Sequence, residues 1–123
     1  MNDRSGQRGS ATVFGVGVIA LVVTIGLVLV SVLTVVSVRI ETETAADAAA
    51  LAAVGAAVEG RAPQPAAAGA AAANGARLLG CRCPEFSGRS FTAVVLVARY
   101  VRIPILGERR ISLERSAEYA VDP

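Results

Sequence analysis

The sequence predicts an α+β chain. A long N-terminal transmembrane helix continues into an Ala-rich helix, a short second helix follows, and a small antiparallel sheet of two or three strands closes the chain. Three observations predict it. Residues 9–38 carry no charge between Arg8 and Arg39. Ala dominates residues 39–59 and 66–73, and Ala is the strongest helix former. From Arg77 onward the chain turns to β-branched and aromatic residues with partial alternation. The segments are a basic N-terminus (1–9), the membrane helix (10–38), a helical stalk (39–59), a Pro/Gly loop (60–65) and a helix-plus-sheet region (66–123).

The uncharged block comes first in the chain. A bilayer core of roughly 30 Å needs about 20 apolar residues as a helix. Residues 9–38 would extend about 42–45 Å at about 1.5 Å per residue. Such a helix tilts, or its last turns, with Ser31, Thr34 and Ser37, rise out of the membrane. A cleaved signal has an apolar core of about 7–15 residues and a small-x-small end, which this block lacks. A buried core helix is excluded because the rest of the chain is too short to wrap it. The flanks orient the helix. Arg4, Arg8 and the terminal amine precede it against Asp3, while Arg39, Glu41, Glu43 and Asp47 follow. The short basic flank places the N-terminus in the cytoplasm and the C-terminal part outside.

Small or polar residues recur along this helix at Gly17, Ala20, Thr24, Ser31 and Thr34. Small residues let membrane helices approach, and hydroxyls bond across. The competing reading is that these hydroxyls satisfy their own backbone carbonyls. No ionisable residue lies within the block, which argues against a proton or ion path.

The stalk reads RIETETAADAAALAAVGAAVE. Ile40, Leu51, Val54 and Val58 share a narrow apolar stripe at helical spacing. Arg39 and Glu43 form an i,i+4 pair worth tenths of a kcal/mol. No breaker separates Val38 from Arg39, so the two helices join. Asp47 on the apolar side is an anomaly. It is either a solvated charge or a polar contact to a neighbouring subunit, and buried unpaired charge is costly. Gly60, Pro63 and Pro65 then break the helix. Residues 66–73 form the second helix, and Asn74-Gly75 end it because both residues tolerate the left-handed conformation. Residues 77–83, 91–103 and 110–121 read as strands, with Pro104 and Gly107 supplying the turn between the last two.

Cys81 and Cys83 are the only thiols. An oxidising compartment favours a disulfide. Residues i and i+2 of an extended strand lie about 6.5–7 Å apart, at the edge of disulfide reach. The chain therefore bends there, or the thiols stay free, or they pair between molecules.

Composition excludes other function classes. All 12 basic residues are Arg, against 10 acidic residues, without the one-sided cluster of a nucleic-acid binder. There is no His, and two Cys make a poor metal site. No Ser/His/Asp or Cys/His set and no phosphate-binding Gly loop occurs. An enzyme, a cofactor, a nucleic-acid partner and a small-molecule substrate are therefore not expected.

Several segments together resemble a known family. RGSATV, a long apolar helix, AADAAALAA at residues 45–53, AANGARL at 72–78 before Cys81, and paired strands stand in that order. This pattern resembles the actinobacterial TadE-like proteins, minor-pilin-like relatives of the Tad/Flp pilus-assembly components, including the set named for a helicase/secretion neighbourhood. Asp47, Leu51, Asn74 and Gly75 stand at the motif positions. The resemblance implies a single-pass, pilin-like protein of the cell envelope. It would assemble with or support a Tad/Flp-type pilus or related secretion apparatus, with membrane lipid and other pilin-like or secretion subunits as partners. The alternative is a membrane-anchored extracytoplasmic binding or regulatory module without a pilus role. The resemblance also implies Gly9 and Ser10 as a processing site. Prepilins of this class are cut after a Gly and carry Glu at the fifth mature position, where this chain has Phe14. Relatives tend to carry one Cys upstream of the N-G-A-R segment. Here the second Cys lies downstream at Cys83, so the family disulfide does not carry over.

Overall fold

Nothing between Val38 and Arg39 interrupts a helix, and the first element runs straight through. The computed structural model describes residues 7–83, 88 and 90–120, with side chains from residue 9 onward. Helix α1 spans Gln7–Val58, 52 residues, or about 78 Å at about 1.5 Å per residue. It ends in a Schellman cap. Gly60 adopts φ 74°, the Gly60 amide donates to the Ala57 carbonyl at 3.1 Å, and the Arg61 amide donates to the Ala56 carbonyl at 2.7 Å.

Helix α2 spans Pro63–Ala73 and starts earlier than the expected residue 66. The loop of residues 60–65 is therefore shorter than its Pro content suggested. Both prolines sit in the first turn, where a missing N–H would have had no intrahelical acceptor. The helix stops at Asn74-Gly75 as expected, by the same device as α1. Gly75 has φ 71°, its amide donates to Ala72 at 3.0 Å, and the Ala76 amide donates to Ala71 at 2.9 Å.

Three antiparallel strands follow in the order β1-β2-β3: β1 Arg77–Arg82, β2 Ser90–Ile103 and β3 Gly107–Ala120. A register shift between Leu78 and Gly80 bends β1. β2 and β3 pair over their whole lengths, from Ser90 opposite Ala120 to Ile103 opposite Gly107. Their connection is a three-residue loop. The Leu106 amide donates to the Ile103 carbonyl at 3.2 Å, and Gly107 takes φ 73° to restart the ladder.

The core joins three layers made mostly of small side chains. α1 contributes Ala45, Ala46, Ala49, Ala50 and Ala53; α2 contributes Ala67 and Ala71; β2 contributes Phe91, Ala93, Val95 and Val97. This corrects the expected stripe. Of Ile40, Leu51, Val54 and Val58, only Val54 is buried, while Leu51 is 66% exposed. The buried face follows the same helical period but is written in Ala, with Thr42 at its start. Methyl groups bury completely where backbones approach closely, and the larger side chains turn outward. Thr42 stays satisfied there by donating to the Val38 carbonyl at 2.6 Å.

Among the described residues Phe91 is the one large aromatic side chain of the core, whereas Tyr100 and Tyr119 are exposed. Phe86 lies outside the described residues. Contact between α1 and the folded part begins abruptly. Every described side chain over residues 9–30 is exposed, and Ser31 is the first half-buried one. There the tip of the β2–β3 hairpin meets α1, forming a groove lined by Ser31, Val32, Val35, Val36, Ile103 and Leu106.

Candidate functional site

The bare part of α1 is the largest chemical feature of the molecule. α1 is long and apolar enough to cross a membrane, and none of its apolar window is covered by the rest of the chain. Val13, Phe14, Ile19, Leu21, Val23 and Leu29 are among its exposed side chains. An apolar surface of this extent requires lipid or another apolar helix around it.

The predicted packing face divides in two. Gly17, Ala20 and Thr24 lie on the bare part, while Ser31 and Thr34 are half-buried where the folded part begins. Each hydroxyl bonds its own helix: Thr24 to the Ala20 carbonyl, Ser31 to Leu27 and Thr34 to Val30, each at 2.8 Å. The hydroxyls are thus satisfied within the chain. A Cβ placed on Gly15, Gly17 or Gly26 would meet nothing within 4 Å, which leaves the glycine faces open to a neighbouring backbone. Gly9 and Ser10 are exposed in the first turns of α1.

A second constellation clamps the sheet to the stalk. Glu41, Glu43 and Asp47 project from α1 towards arginines of β2 and β3. Arg99 Nη1 lies 2.7 Å from Glu41 Oε2. Arg115 bridges two carboxylates, with Nε 3.4 Å from Asp47 Oδ1 and Nη2 3.6 Å from Glu43 Oε1. Arg39 approaches Glu43 from the preceding turn at 3.5 Å, as its spacing predicted. Asp47 is therefore held by the chain's own sheet. Sequence reasoning did not anticipate Arg99, Arg115 or Glu41 as partners. The signal available was the alternation of β3, because Ile111, Leu113 and Arg115 share the face turned to α1.

The N-G-A-R motif serves this clamp. Asn74 closes α2, its Nδ2 donating to the Ala70 carbonyl at 2.8 Å. Gly75 packs beside the Arg99 guanidinium: a Cβ there would lie 3.4 Å from Nη2, an ordinary van der Waals contact. Ile40, Glu41, Thr44, Ala73, Asn74, Gly75 and Arg99 surround a notch open to solvent. Leu51, the remaining motif position, points away from the fold.

Cys81 and Cys83 form a disulfide within the chain, with Cα atoms 5.4 Å apart. This separation lies inside disulfide reach because Cys83 falls beyond the last residue of β1 and the chain is no longer extended there. Among the described residues no three His, Cys, Asp or Glu side chains come together as a metal site.

Comparison of the chain with protein-family models, with curated proteins and with solved structures finds no match.

Proposed function

We propose that this chain is a pilin-like, single-pass subunit of the cell membrane. Its N-terminus is cytoplasmic, its folded part is extracytoplasmic, and it assembles with or supports a Tad/Flp-type pilus or related secretion apparatus. One observation carries the reading: a single unbroken helix is bare over residues 9–30 and becomes the spine of the folded part from Ser31 onward. This arrangement leaves a membrane-length apolar surface with small-residue faces available to other helices. Arg4 and Arg8 before the uncharged stretch and the acidic cluster after it support the orientation.

Photo-crosslinking from Gly17 and Thr24 in cells that express Tad/Flp-type pilus genes tests it. The expected product is a ladder containing this chain and further pilin-like subunits. Recovery of monomer alone, with the chain in the membrane, sinks the assembly reading. N-terminal sequencing of the membrane-extracted chain decides processing: a start at Ser10 supports prepilin-type cleavage, and a start at Met1 or Asn2 supports a permanent anchor.

The second reading is a membrane-anchored binding or regulatory module. The observation that favours it is the exposure of Leu96 and Tyr100 on the sheet face turned away from α1. A chromosomal neighbourhood with no secretion ATPase gene selects this reading over the first.

A further inference from the structure

The β2–β3 hairpin ends in an apolar tip at an unusual height along α1. Ile105 and Leu106 are 60% and 58% exposed, while Ile103 behind them is buried against α1. The loop Pro104-Ile105-Leu106 is itself the tight turn, closed by the Leu106 amide donating to the Ile103 carbonyl. Residues 9–30, all of them exposed, extend about 33 Å at about 1.5 Å per residue, close to the roughly 30 Å of a hydrocarbon core. The tip therefore meets α1, at Ser31 to Val36, where the helix leaves the hydrocarbon.

The charges around the tip are equally distinctive. Arg39, Arg61, Arg82, Arg99 and Arg115 each hold a carboxylate. Among the described residues Arg77, Arg102, Arg109 and Arg110 hold none, and the last three flank the tip, although Glu108 stands opposite Arg102 in the ladder. Three free guanidinium groups thus stand directly behind two exposed aliphatic side chains. Tyr100, 55% exposed, lies opposite Arg110 in the same strand pair. Apolar residues at the tip, arginines one step behind and a tyrosine at the border match the layers of a membrane interface from acyl chain to headgroup.

We propose that the hairpin tip is a second membrane contact. Ile105 and Leu106 seat at the acyl boundary of the leaflet that α1 exits, and Arg102, Arg109 and Arg110 bind anionic phospholipid headgroups. This rests on the reading that α1 crosses the bilayer. The consequence is a chain held to the membrane at two points, with its sheet fixed in rotation about the helix axis.

The sequence contains no Trp, so a single introduced Trp reports its own position. Ile105→Trp and, as a second reporter, Leu106→Trp are placed in the full chain. Each is reconstituted in phosphatidylcholine vesicles with and without phosphatidylglycerol. Leu21→Trp, on the bare helix, is the reference. The expected result is blue-shifted emission from the tip, quenching by bromines near the headgroup end of the lipid, and loss of most acrylamide quenching, with phosphatidylglycerol strengthening all three. Arg102→Gln, Arg109→Gln and Arg110→Gln each lower the ratio of lipid-seated to water-exposed tip by about fivefold in the anionic vesicles, the factor expected for one basic residue near such a surface. A water-accessible tip with Leu21→Trp deeply quenched overturns the proposal and leaves the membrane span standing. A water-accessible Leu21→Trp reference together with water-accessible tip reporters removes the span, and the proposal with it. Equal seating with and without phosphatidylglycerol overturns the headgroup assignment. Shielding of the tip in native membranes but not in pure lipid also overturns it, because a protein then covers the tip.

Discussion

Gly75 is held by its backbone conformation more than by its neighbours. Its φ of 71° opposes a side chain, whereas the Arg99 guanidinium, 3.4 Å from a built Cβ, would make an ordinary contact. Gly60 shares the conformation, with φ 74°, and has nothing within 4 Å. Gly75→Ala and Gly60→Ala therefore lose similar amounts, about 1–2 kcal/mol each, from the left-handed backbone. Urea unfolding of the full chain in micelles measures both, and a markedly larger loss at Gly75 shows that Arg99 resists the added methyl. Arg115 belongs to the same scale. It is partly exposed, so Arg115→Ala costs about 0.5–1 kcal/mol even though it releases both Glu43 and Asp47. A double-mutant cycle with Asp47→Ala isolates the pair, and its coupling shrinks at high salt. Asp47 was visible in the sequence as a misplaced charge. Its partner was not, because pairing between a helix and a distant strand depends on register, which no local spacing encodes.

At the scale of elements, the alanine faces decide how closely the layers pack. Ala49 and Ala53 are fully buried and carry no side chain beyond a methyl. Ala53→Leu forces extra volume into that contact and costs about 1–3 kcal/mol. Leu51→Ala, on the exposed side, changes stability by less than about 0.5 kcal/mol. Thermal unfolding ranks the two, and the reverse order refutes this packing. The contrast also explains what the sequence conceals. Helix ends were readable at Gly60 and at Asn74-Gly75, where backbone conformation demands particular residues. The strands themselves were readable from β-branched runs, although β3 begins at Gly107 rather than at residue 110 because the turn takes only three residues, and the long helix was readable from its uninterrupted pattern. The buried face of the stalk was not, because side-chain size usually marks burial and here the small residues are the buried ones. The disulfide was undecided for a related reason: the bend at the end of β1 depends on the sheet it leaves. Cys81→Ser with Cys83→Ser removes a loop of only a few residues, so the loss stays below about 2 kcal/mol. A larger loss by chemical denaturation assigns the bond a greater share in shaping β1.

For the whole molecule, the division at Ser31 predicts separable parts. Residues 9–30 are exposed throughout and bury nothing against the described sheet or α2, so a fragment of residues 31–123 keeps the helix-plus-sheet fold. Circular dichroism and limited proteolysis of the fragment against the full chain check this. Loss of sheet signal in the fragment shows instead that the membrane segment contributes to folding. The apolar tip and the released end of α1 remain exposed in this fragment, which makes it prone to self-association. The unbroken α1 has one more consequence, and it is mechanical. From Ser31 to Val58 the helix reaches about 42 Å beyond its bare part. If the bare part leans by about 20°, an ordinary tilt for a membrane helix, the far end swings through about 14 Å. The hairpin tip, beside the pivot, hardly moves. The molecule is then a lever whose short arm lies in the bilayer and whose long arm carries α2, so a small change in bilayer thickness becomes a large displacement at its outer end.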